Sequence, residues 1–213
     1  MVLDKVFDVA DIEKALALHD FDSLQAQLKM TPIVRPIRRP PEREGVARLG
    51  GVLALFYFKY DELYLVLTRR RDDLNSHAGQ VSFPGGKREE DESLVETALR
   101  ETEEEIGVTP AHVQILGQLS TLYIPPSDFE VHPFVGFYNE GRHPGFQPNE
   151  AEVAEIIEVP LRRFFDPQIR REEPWNLRGT EILVPFFQLG SHKVWGATAM
   201  MLSELIERLQ TIA

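Results

Sequence analysis

Residues 86–108 read GKREEDESLVETALRETEEEIGV, and the reading of this stretch decides the fold. Nine acidic residues lie between Glu89 and Glu105, at positions 89, 90, 91, 92, 96, 101, 103, 104 and 105. Most such runs are solvated helix faces, so spacing has to discriminate. At about 100° per residue, Val95, Ala98, Leu99, Thr102 and Ile106 fall on one stripe, which predicts a helix from about Glu92 to Ile106 packed on a sheet. Gly107 stands where a C-cap adopts left-handed backbone. Glu101, Glu104 and Glu105 are spaced i, i+3, i+4 and share a second face, while Glu103 points elsewhere. Three like charges this close destabilise a helix unless something positive sits among them. Hard divalent cations prefer carboxylate oxygens, and Mg²⁺ often bridges carboxylates to substrate phosphates. Arg100 follows Glu96 by four residues and precedes Glu104 by four, so it can pair with either.

Outward from this helix, strands dominate. Gly51 to Phe58 and Leu63 to Thr68 read as strands joined by a hairpin turn at residues 59–62. A short strand, Gln80 to Phe83, leads into Pro84-Gly85-Gly86, which alone reads as a tight turn. After the helix, Val113 to Leu122, Val131 to Tyr138 and Glu155 to Val159 read as strands, and Pro160 to Phe165 as a helical turn. Ile182 to Gln188 and Lys193 to Trp195 are expected to close the sheet before a terminal helix, Ala197 to Leu209. Upstream, residues 10–29 read as a helix that Asp11 can cap. Pro32, Pro36, Pro40 and Pro41 then mark an extended connector, with basic residues from Arg35 to Arg43. The expected division is residues 1–46, an N-terminal helix and proline-rich connector, and residues 47–213, the main domain.

Composition narrows the function. The chain has 213 residues and no cysteine, so disulfides, thiolate zinc and a cysteine nucleophile are excluded. A formal net charge of −11 argues against a nucleic-acid binder. No apolar run approaches the length of a membrane span, and the first twenty residues lack the apolar core of a signal peptide. The expected location is cytoplasmic, with no membrane partner, and a homodimer is compatible with everything above. An acidic protein repels phosphate esters unless cations intervene, which again points to the acidic helix.

The stretch from Gly86 to Val108 resembles the Nudix box, G-x5-E-x7-R-E-U-x-E-E-x-G-U, where U is bulky and apolar. All seven fixed positions match: Gly86, Glu92, Arg100, Glu101, Glu104, Glu105 and Gly107. Thr102 at the first U is the one departure, and a threonine can pack there. The resemblance implies the Nudix fold, an α/β (α+β) arrangement with a mixed β-sheet sandwiched between α-helices. It implies a pyrophosphohydrolase in which water attacks phosphorus in line and Mg²⁺ or Mn²⁺ polarises the phosphate. Glu101, Glu104 and Glu105 would be metal ligands, with the backbone at Gly86 and a Gly85-Gly86 turn that lets the backbone approach the cation.

A second stretch points to a subgroup. Leu65-Val66-Leu67-Thr68-Arg69-Arg70-Arg71, then Leu74, His77, Gly79, Val81 and Phe83-Pro84-Gly85-Gly86, resembles the coenzyme A pyrophosphatase motif. Arg70 falls at that motif's arginine, and Arg71 replaces its usual small residue. The segment 122–136 and the run Val194-Trp195-Gly196-Ala197-Thr198-Ala199 resemble the same subgroup, so the likeness covers about residues 47–209. It implies a nucleotide substrate, coenzyme A, cleaved to 4′-phosphopantetheine and 3′,5′-ADP. Arg69, Arg70, Arg71, His77 and Gly85 are the substrate-binding candidates, since arginine forks bind phosphate bidentately. Taken singly, the arginines read as solvent-facing residues at a strand end and His77 as a core histidine; the run taken together carries the likeness. Some family members use a glutamate after the box as general base; of Glu150, Glu152 and Glu155, Glu152 is preferred, though each also reads as a surface acid near a turn. Three alternatives stay open: a Nudix hydrolase of ADP-ribose, a dinucleotide or a nucleoside triphosphate; a non-catalytic nucleotide-binding module; and a calcium-binding or purely structural acidic helix.

Overall fold

The computed structural model describes residues 5–32, 47–74, 78–125, 127–141, 143–177 and 179–213. The proline-rich connector and His77 lie outside the described residues. In chain order the elements are α1 (Val9–Leu16), α2 (Ser23–Leu28), β1 (Arg48–Lys59), β2 (Glu62–Arg70), β3 (Val81–Ser82), β4 (Gly85–Lys87), α3 (Leu94–Ile106), β5 (Val113–Gln118), β6 (Leu122–Ile124), β7 (Phe129–Tyr138), β8 (Val153–Pro160), β9 (Arg170–Leu177), β10 (Thr180–Leu189), β11 (His192–Trp195) and α4 (Gly196–Thr211).

The centre is β1, which pairs parallel with β7 and antiparallel with β2 and β4. Its apolar run is continuous because both faces are buried. Leu53, Leu55 and Tyr57 pack with Val66 of β2 and Ala98 and Ile106 of α3. Ala54 and Phe56 face the other way, into a core with Leu63, Leu65 and Leu67 of β2, Ile12 and Ala15 of α1, and Met201, Leu202 and Leu205 of α4. The mixed eight-stranded sheet therefore lies between α3 on one side and α1 and α4 on the other. The β1–β2 hairpin turns through Tyr60 and Asp61, both with positive φ, as a two-residue turn between twisted strands requires.

Four expectations need correction. The helix over 10–29 is two short helices, because Asp22 caps a new start by accepting from the Gln25 amide; the first is capped by Asp8, with Asp11 as its reciprocal partner. The Gly85-Gly86 turn is a strand, with Gly51 opposite Gly86 on β1. The strand over 113–122 breaks into β5 and β6, because the buried Glu204 of α4 accepts from the backbone and hydroxyl of Ser120 and draws the chain out of the ladder. Finally, β10 and β11 do not close the main sheet. They form a separate three-stranded sheet with β9, whose RREEPWNL sequence has no apolar alternation by which it could be recognised. No helix among the described residues is long and apolar enough to cross a membrane.

Candidate active site

The site forms where α3 crosses the glycine-rich start of β1. A Cβ at Gly51 would stand 2.3 Å from the Leu94 carbonyl oxygen and 3.3 Å from the Ala98 Cβ, so only glycine lets helix and strand approach this closely. α3 begins with a capping box in which Ser93 accepts from the Glu96 amide and Glu96 accepts from the Ser93 amide. It ends at Gly107 with φ 74°. The buried stripe comprises Thr97, Ala98, Thr102, Glu105 and Ile106; Val95 and Leu99 are only partly covered. Thr102 is fully buried because its hydroxyl donates to the Ala98 carbonyl at 2.6 Å.

Arg100 organises the carboxylates. Its guanidinium donates to Glu92 at 2.9 and 3.1 Å, to Glu101 at 3.0 Å, to Glu104 at 3.1 Å and to the Lys87 carbonyl at 3.2 Å. Of the two partners open to it by spacing, Arg100 pairs with Glu104, while Glu96 serves the cap. Glu92 also accepts from Thr97 Oγ1 and the Glu89 amide, and Arg100 above all holds its carboxyl down at about 2. Glu92 is thus an ionised strut behind Arg100.

Glu105 and Glu101 are the strained members. Glu105 is 8% exposed, and its Oε2 has no hydrogen-bond partner among the described residues. Burial first, then the negative charges of Glu101 and Glu152, push its carboxyl up to about 8, against a Gly85 backbone hydrogen bond and the Arg70 charge. Glu101 is raised too, first by burial, with Glu104 and Glu152 adding to it and Arg100 opposing. Gly86 lies against Glu101, where a Cβ would stand 2.4 Å from the carboxyl carbon. Glu103 and Glu104 are exposed.

These features fit a divalent cation. The donors are hard oxygens, an ionisable oxygen is buried without a partner, and the glycine backbone leaves no side chain between strand and carboxylate. Among the described residues no three acidic or imidazole side chains are gathered closely enough to hold one ion.

The basic run divides between the faces of β2. Arg70 lies on the α3 side, donating to Glu152 at 3.1 Å. Arg69 pairs with Asp72 at 3.0 Å and stands 3.6 Å from Glu155, which also meets His192 at 3.2 Å. Arg71 forks onto Asp73 at 2.6 and 2.8 Å and donates to the Glu150 carbonyl. All three cations already have anionic partners, a feature that strand periodicity does not reveal. Of Glu150, Glu152 and Glu155, only Glu152 has its charge felt by both Glu101 and Glu105. Glu92 as the strut and Arg70 as the partner of Glu152 are the roles that spacing alone does not assign. The fixed glutamate of the box was the available signal for the first; nothing in the sequence signals the second.

The chain resembles known proteins over most of its length. The NUDIX domain model matches residues 49–180. The chain is 40% identical over 196 residues to the uncharacterized Nudix hydrolase NudL of Photorhabdus laumondii, covering 92% of this chain and 99% of that one. It is 31% identical over 182 residues to the mitochondrial Nudix hydrolase 15 of Arabidopsis thaliana, covering 83% and 64%. Among solved structures, a Nudix hydrolase from M. smegmatis, RenU, superposes with a TM-score of 0.54 at 15% identity, over 80% of this chain and 90% of that one. A MutT/nudix family protein from Enterococcus faecalis gives 0.54 at 16%, over 97% and 76%. The solved structures share the fold, and the matched domain and near-full-length relatives carry the assignment: the chain belongs to the Nudix hydrolase family.

Proposed function

We propose that this Nudix hydrolase cleaves the diphosphate of coenzyme A or its derivatives, releasing 4′-phosphopantetheine and 3′,5′-ADP, in the cytoplasm. The observation that carries the hydrolytic site is the buried, unpartnered Glu105 oxygen beside Glu101, with Arg100 holding Glu101 and Glu104 in register. Glu101, Glu104 and Glu105, with the backbone at Gly86, would hold Mg²⁺ or Mn²⁺, which supplies polarisation of the phosphate oxygens and acidification of the attacking water. The chain's own residues do the rest. Glu152 accepts the proton of the attacking water, whose oxygen bonds to phosphorus as the bridging oxygen leaves on the other phosphate. Arg100 and Glu92 keep the carboxylates oriented, which removes reorganisation from the reacting geometry.

The substrate rests on the run Leu65 to Gly86 and on Val194 to Ala199, which resemble the coenzyme A subgroup. Coenzyme A carries a 3′-phosphate besides its diphosphate. Arg69 and Arg71 are its candidate readers, because their partners Asp72 and Asp73 are the more exposed carboxylates, whereas Arg70 meets the less exposed Glu152. Each would exchange a carboxylate for a phosphate, a trade that Arg71 can make at the surface. The test is a panel of coenzyme A, dephospho-coenzyme A, ADP-ribose, diadenosine polyphosphates and nucleoside triphosphates with Mg²⁺ or Mn²⁺, read by product mass. Adenosine 3′,5′-bisphosphate from coenzyme A is expected. Turnover of ADP-ribose with none of coenzyme A would move the substrate to another nucleoside diphosphate.

A further inference from the structure

We infer that Arg70 is a positioning residue for the general base: it holds the Glu152 carboxylate over the acidic face of α3 rather than binding substrate. This inference rests on the reading of Glu152 as the base. Three observations carry it. Arg70 ends β2 on the α3 side and donates through Nη1 to Glu152 at 3.1 Å, a contact with the carboxylate that it would have to give up to meet a phosphate. The two arginines flanking it are engaged elsewhere, Arg69 with Asp72 and Glu155 and Arg71 with Asp73, so neither duplicates this contact. The backbone of Glu152 is independently registered to α3. The Asn149 amide donates to the Glu105 carbonyl at 2.9 Å, and the Asn149 carbonyl accepts from Glu152 at 2.9 Å and Val153 at 2.8 Å. The Asn149 side chain closes the same turn by accepting from Ala151 at 3.1 Å.

This geometry makes a two-point mount. The turn at Asn149 ties the base's backbone to the residue that supplies the buried carboxylate, and Arg70 fixes the side chain that would otherwise rotate freely. Glu152 is nearly half exposed, so little else restrains it. Without the guanidinium, the half-exposed Glu152 side chain would be free to take other rotamers that point to solvent. The reacting geometry would then be populated only part of the time, and the loss would appear in kcat.

A double-mutant cycle tests this, run on metal-loaded full-length protein with coenzyme A, or with ADP-ribose if that is the compound cleaved. Glu152→Gln should lower kcat by about a hundredfold or more, the usual contribution of a general base. Arg70→Ala should lower kcat roughly ten- to fiftyfold with KM changed less than about threefold, and Arg70→Lys should restore most of the loss through a single charged contact. In the Glu152→Gln background, Arg70→Ala should cost less than about threefold. Unchanged melting temperatures across the set separate positioning from misfolding; Arg70→Gln replaces Arg70→Ala if the latter is destabilised. If Arg70→Ala raises KM and its effect multiplies with that of Glu152→Gln, Arg70 binds substrate and the inference fails. If Glu152→Gln leaves kcat intact, the base assignment fails instead, and the two failures are distinct.

Discussion

Replacing Glu105 by glutamine should stabilise the metal-free protein while abolishing its activity. The carboxyl is 8% exposed and its pKa rises from 4.5 to about 8. A carboxyl whose folded value lies above its unfolded value costs nothing only where it is protonated in both the folded and the unfolded state. The cost starts as pH rises through the unfolded value and is complete above the folded one. At pH 7 the solution stands about 2.5 above the unfolded value, so keeping this carboxyl buried and protonated while the unfolded chain ionises it costs roughly 3 kcal/mol, at 1.36 kcal/mol per pH unit. Glutamine keeps an oxygen for the Gly85 amide and removes the ionisable group from beside Glu101. In a chain of this length, 2–3 kcal/mol moves the melting temperature by roughly 5–10 °C. The assay is thermal unfolding in chelator at pH 5, 6, 7 and 8, for wild type and E105Q. The gap should open from under about 1 kcal/mol at pH 5 to its full size near pH 8. Saturating Mn²⁺ should then reverse the order, because only the wild type gains the linked binding energy. Glu104→Gln is the control: that carboxylate is exposed and its ion pair with Arg100 is worth under about 1 kcal/mol. A gap that is absent at pH 7, or that is as large at pH 5, would refute the burial argument.

Glu101→Gln should cut turnover by about a hundredfold, while Glu103→Gln, exposed on another face, should change it less than about threefold in the same steady-state assay. Gly86→Ala should lose activity without unfolding, because its Cβ would stand 2.4 Å from the Glu101 carboxyl carbon and push that ligand aside; circular dichroism separates the two effects. Chelation should stop turnover with the circular dichroism spectrum nearly unchanged, since the two apolar cores contain no metal ligand; unfolding on chelation would overturn this. Coenzyme A should be preferred to dephospho-coenzyme A by about tenfold in kcat/KM, with Arg71→Ala or Arg69→Ala removing that preference; equal rates on both compounds in the wild type would defeat the 3′-phosphate reading.

The sequence by itself determined the helix that bears the acidic face, its Gly107 stop and the β1–β2 hairpin. These are local quantities: an i, i+3, i+4 spacing, a left-handed cap and two apolar runs around a short polar turn depend on a few consecutive positions. Spacing also placed Arg100 within reach of two glutamates, but could not choose between them, because the choice depends on the capping box that takes Glu96. It could not show that Gly85 and Gly86 form a strand against β1, since a three-residue strand is stabilised by its neighbour and not by its own composition. It missed β9 for the same reason: a charged segment becomes a strand when β10 supplies the ladder. Only the tertiary structure separated Glu105 from Glu104, one adjacent residue from another. The first is turned into the sheet and desolvated beside Glu101 and Glu152; the second is turned to water against Arg100. Burial and charge at long range make that difference, and they are properties of the packed chain, not of any window of residues along it.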